Sequence, residues 1–165
     1  MIALFLALAV APWAHPLRFR PVPGWQTGAS SNTHSVYVGH GTRVVAPLES
    51  TAWIARHVRY RDHATADPPN TTLARFPSDA VIVWAVIFNP AQTGEKPIRL
   101  DLRQARRFAC CEAAYVAGGE YELTGSGPGR AYSVIVRIYF GSPPTSRLRA
   151  QAQLALNQLE LPSPR

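Results

Sequence analysis

The chain predicts an α+β domain, an antiparallel sheet of five to six strands with a C-terminal amphipathic helix packed on one face. Three stretches carry that expectation. Tyr132, Val134, Val136, Ile138 and Phe140 alternate with Ser133, Ile135, Arg137 and Tyr139, the period of two of a strand with one face in a core. Residues 80–88, Ala-Val-Ile-Val-Trp-Ala-Val-Ile-Phe, are apolar without interruption and rich in β-branched side chains, which reads as a central strand covered on both faces. Leu148, Ala152, Ala155, Leu156 and Leu159 then recur at helical spacing after Ser142-Pro-Pro-Thr145, a stretch offering an N-cap and a proline for the first turn. A helix of about four turns is expected there, stopped by Pro162.

Taken from the start, residues 1–14 form an uncharged apolar segment that is signal-like or an anchor. About ten apolar residues span roughly 15 Å as a helix, half the hydrocarbon thickness of a bilayer, which suits the core of a signal peptide. A retained anchor and a buried N-terminal helix are the alternatives. The first positive charge is Arg18, behind the apolar run instead of before it, so an earlier start is expected. No Cys follows the run, so the usual lipoprotein anchor is not expected. Residues 15–24 read as a Pro-rich spacer, 25–161 as a single α+β domain and 162–165 as a tail.

Within the domain, Ser35 to Val38 reads as a short strand. Thr51 to Arg61 reads as a half-buried strand, with Ala52, Ile54, Val58 and Tyr60 inward and Trp53, His57, Arg59 and Arg61 on a cationic outer face. Thr72 to Phe76 looks like a helical turn ending at Pro77. Ile98 to Leu102 and Tyr121 to Thr124 are further strands, the latter joined through Gly125-Ser-Gly-Pro-Gly129 to Tyr132 as a hairpin.

The ending strand, Phe140-Gly141, Pro-Pro, helix and Leu159-Glu-Leu-Pro, with Gly24-Trp25 near the start and Leu73 to Val81 leading into the apolar strand, resembles small exported envelope domains of high-GC Gram-positive bacteria. Some of these are similar to the PsbP-like fold. The motifs cover about a third of the chain and are structural. The resemblance implies accessory, assembly or binding roles.

The formal charge is +7, and 16 of the 17 basic residues are Arg. Such a surface attracts anionic polymers, lipid headgroups or acidic proteins. Without Lys-rich or aromatic-interleaved runs, nucleic acid is not the expected partner. Arg56, Arg59 and Arg61 form one candidate cationic cluster, and Arg99, Arg103, Arg106 and Arg107 a second, with three guanidiniums on one face if Leu102 to Phe108 is helical. His34, His40, His57 and His63 are the alternative, a metal or hydrolase set, although no HxH, HExxH or compact His-carboxylate motif is present. The adjacent Cys110 and Cys111 cannot staple distant segments, and the carboxylates are scattered. Ser126 lacks the frame of a nucleophile elbow.

These features lead to an expectation of a non-enzymatic, exported or membrane-tethered envelope domain. It would bind an anionic ligand or partner through its arginine-rich surface and need no cofactor. The rival readings are a histidine-based metal protein or hydrolase, and a structural or assembly partner with an exposed apolar patch around Trp25, Trp53 and Tyr139.

Overall fold

The computed structural model describes residues 16–32, 35–38, 42–45, 49–58, 75–88, 91–108 and 116–163. Its strands are β1 (Arg18–Phe19), β2 (Gln26–Asn32), β3 (Ser35–Val38), β4 (Thr42–Val45), β5 (Glu49–Arg56), β6 (Val81–Phe88), β7 (Arg106–Phe108), β8 (Glu120–Ser126), β9 (Ser133–Phe140) and β10 (Leu159–Glu160). Among the described residues there is one α-helix, α1 (Ser146–Leu156), which follows β9. A six-stranded antiparallel sheet runs in the order β2-β5-β6-β9-β8-β7, and two small ladders, β1-β10 and β3-β4, stand apart from it. The α+β expectation holds, with six strands in the main sheet.

The apolar run becomes β6, near the middle of the sheet, and Val81 to Ile87 are all buried. Alternate side chains serve two cores. Val81, Val83, Ala85 and Ile87 join Val134, Val136, Ile138 and Phe140 of β9 under α1, whose Leu148, Ala152, Ala155 and Leu156 seal that face. Ile82, Trp84 and Val86 join Trp53, Ala55, Tyr139 and Val116 on the opposite face. Thr145 caps α1, its Oγ1 accepting from the Leu148 N–H at 3.3 Å.

Several expectations are corrected. The helix runs 11 residues, not four turns, because the chain leaves it at Asn157 and Leu159 pairs with Phe19 across the β1-β10 ladder. That ladder buries Leu17 and Phe19, so the packed core reaches back into the stretch read as a spacer. β5 stops at Arg56, where His57 takes a left-handed φ of 58°. Trp53 does not face outward. It is buried with its indole lying over Gly28, where a Cβ would stand 2.5 Å from the ring. Tyr139 is fully buried as well, so Trp53 and Tyr139 form no exposed apolar patch. Of the turn expected over Thr72 to Phe76, residues 72–74 lie outside the described residues.

Ile98 to Leu102 is not a strand. The Gln153 side chain occupies its backbone instead, accepting from the Leu102 N–H and donating to the Leu100 carbonyl, both at 2.9 Å. Leu102–Gln104 is a single 3-10 turn capped by Asp101, and Arg106–Phe108 is a strand, so Leu102 to Phe108 is not a helix. The hairpin β8-β9 forms as expected. Beyond its turn, the Tyr132 hydroxyl donates to the Pro162 carbonyl at 2.6 Å, and burial pushes that phenol's pKa up.

Candidate functional site

The strand order separates the arginines singled out by sequence. Arg56 closes β5 while Arg106 and Arg107 lie on β7, four strand spacings or about 19 Å away across the sheet. The Arg56 guanidinium stacks 5.8 Å from the Trp25 ring centroid and donates to His57 Nε2 at 3.3 Å. His57 Nδ1 in turn meets Asp79 Oδ2 at 2.6 Å. Both ring nitrogens are thus engaged, and neither is offered to a metal. Among the described residues no three of His, Cys, Asp and Glu gather as a metal site. His34, His40, His63, Arg59, Arg61, Cys110 and Cys111 lie outside the described residues.

Arg103 is held by its neighbour. Its fork reaches Asp101 at 2.8–3.1 Å and its N–H donates to Asp101 Oδ1 at 3.0 Å. Those hydrogen bonds hold the Asp101 carboxyl below its ordinary range, the Arg103 side chain contributing most. Arg106 and Arg107, being consecutive in a strand, point to opposite faces. Arg106 lies opposite Glu122, and Arg107 opposite Tyr121.

Two arrangements on the β8 side of the sheet emerge only from the fold. The first is a guanidinium held between carboxylates. Glu120 and Glu122 are two residues apart in β8, and Arg137 of β9 lies directly opposite Glu122. Arg137 Nε is 3.3 Å from Glu120 Oε1 and 3.3 Å from Glu122 Oε2, and its guanidinium sits 4.9 Å from the Phe108 ring centroid and 5.9 Å from that of Trp84. Glu120 is 0% exposed, so its charge requires this partner.

The second is a recess of about 610 Å³ at the outer edge of β8, lined by Lys96, Pro97, Arg99, Gln104, Arg106, Glu122, Leu123 and Thr124. It exists because the chain touches that edge twice and leaves it between. Ser126 donates to the Lys96 carbonyl at 2.8 Å and accepts from the Ile98 N–H at 2.9 Å, after which the chain turns away towards α1. It returns as β7 against Glu120 to Glu122. The first crossing demands a glycine, since a Cβ on Gly125 would stand 2.7 Å from the Lys96 carbonyl and 2.8 Å from Ile98 Cα.

Charge in this recess is unbalanced. Glu122, the one carboxylate among its described lining residues, is already engaged by Arg137. Among the described residues, the side chains of Lys96, Arg99 and Arg106 make no ion pair or hydrogen bond. Elsewhere Arg18 meets Glu160 at 2.6 Å and Arg103 meets Asp101. Three cations without carboxylate partners around one concavity favour an anion.

Of the sequence-predicted residues, this site takes Arg99 and Arg106 and adds Lys96. The alternation Glu120-x-Glu122 against Arg137, in a hairpin whose turn is legible, is the signal that would have found the buried carboxylate cluster. Comparison of the chain with protein-family models, with curated proteins and with solved structures gives no match.

Proposed function

We propose that this protein is a non-catalytic binding domain of the cell envelope, exported or tethered through its N-terminal segment, that holds an anionic ligand in the recess beside β8. The observation that carries this reading is the convergence, among the described residues, of Lys96, Arg99 and Arg106, none of them neutralised, on a concavity whose one described carboxylate is bound by Arg137. The net charge of +7 would draw an anion towards the domain, and the resemblance to exported envelope domains with accessory roles points the same way. Among the described residues no helix is long and apolar enough to cross a membrane, and the tether in this reading is the apolar segment 1–14.

The test is binding of the full chain to immobilised polyanion and to anionic vesicles over a salt series. Binding should weaken steeply as salt rises, because exposed charges more than about 8 Å apart are screened at physiological ionic strength. The double variant Arg99→Ala/Arg106→Ala should lose most of it, while Arg147→Ala, an exposed arginine on α1, should not. Binding that is insensitive to salt and to the double variant would refute the reading.

A further inference from the structure

Resting on the anion-binding reading of the recess, we infer that its ligand is the free C-terminal end of an acidic polypeptide, added to the edge of β8 opposite Thr124. The inference comes from the backbone. Main-chain groups of alternate residues in a strand point to opposite sides. The Phe140 N–H donates to the Gly119 carbonyl, and Gly127 donates to the Tyr132 carbonyl, so odd-numbered residues along β8 direct their N–H and C=O groups at β9. Even-numbered residues direct theirs outward, as Ser126 does to Lys96 and Ile98.

Of the outward set, Glu120 and Glu122 face Phe108 and Arg106 of β7, and Ser126 is taken by the Lys96–Ile98 crossing. Thr124 lies between them and lines the recess. Among the described residues nothing takes up its main-chain N–H and C=O. The edge therefore presents one donor and one acceptor, flanked on both sides by chain already in place.

That geometry selects among anions. A bare carboxylate, which has no N–H or O–H, would use the N–H and leave the carbonyl without a donor, a costly outcome wherever the ligand excludes water. A strand passing Thr124 in both directions would meet β7 on one side and the Lys96–Ile98 crossing on the other, whereas a chain that ends there has to turn away from the edge on one side only. One terminal residue fits both limits. Its amide N–H donates to the Thr124 carbonyl, one oxygen of its carboxylate accepts from the Thr124 N–H, and the other oxygen faces the cations. Three cations exceed the need of a single carboxylate, so an acidic residue near the end of the ligand uses the remainder.

The experiment compares acetyl-Ala-Glu-Ala-Glu bearing a free C-terminal carboxylate, the same peptide with a C-terminal amide, and inorganic phosphate. Each is titrated into the full chain and followed by calorimetry and by the backbone amide resonance of Thr124. The free acid should bind and shift that resonance. The amide should bind at least tenfold more weakly, and Arg99→Gln and Arg106→Gln should each weaken the free acid several-fold with the fold intact by circular dichroism. Equal binding of acid and amide, or phosphate binding as tightly as the free acid, would overturn the C-terminal assignment while leaving an anion site in place. Failure of all three ligands to bind would remove the anion-binding reading with it.

Discussion

The two faces of the central sheet are sealed by different means. Under α1 the buried side chains are almost all apolar, and Leu148, Ala152, Ala155 and Leu156 fill the space above β6 and β9 by volume alone. Across the sheet the cross-strand register sets Trp53, Trp84, Arg137, Glu122 and Arg106 in one row from β5 to β7. That row begins in aromatic packing, passes through a charge cluster and ends at the rim of the recess. A face filled by volume tolerates any side chain of similar shape, whereas a face holding charges depends on how many of each sign it contains. The binding edge is continuous with the second kind.

The strongest way to break this contrast is Arg137→Met, which leaves the fully buried Glu120 without its guanidinium. It should cost about 3–5 kcal/mol in urea unfolding, and adding Glu120→Gln should restore a large part of that. A double variant no more stable than Arg137→Met would show that the far face is held by packing after all. On the helix side, Leu156→Ala should cost about 2–4 kcal/mol and Leu156→Met under about 1.5 kcal/mol by the same measurement, because only volume is at stake there.

Thr145→Ala, which removes the cap of α1, should cost about 1 kcal/mol, with helix loss visible by circular dichroism. The smallest effect belongs to Asp101. Its carboxyl pKa is lowered by Arg103, so its contribution to stability is present above the ordinary carboxylate range and is lost as pH falls through its depressed value. In Arg103→Gln the Asp101 titration followed by NMR should move up towards the ordinary value. An unchanged titration would mean that the clip is not formed in solution.

What sequence could reveal divides along a related line. β6, β9 and α1 carry strong apolar periods because each buries at least one whole face, and all three were legible. β2, Gln-Thr-Gly-Ala-Ser-Ser-Asn, has no such period; as an edge strand it is held by its pairing with β5, which hydrophobicity does not record. The 3-10 turn at Leu102–Gln104 was missed for a similar reason, since a distant glutamine on α1 satisfies the backbone beside it. The recess was not legible either. It depends on where the chain leaves the β8 edge and returns, and Lys96 and Arg99 acquire a shared purpose only once Gly125 lets that crossing approach so closely.

The short β1-β10 ladder, with Arg18 clasping Glu160 at 2.6 Å, has a mechanical consequence. Both ends of the packed body are fastened to each other at one pole, so tension applied between them would part a two-residue zipper before it reached any strand of the main sheet. A fluorophore pair at the two ends would report that first yielding while the tryptophan layer is still intact.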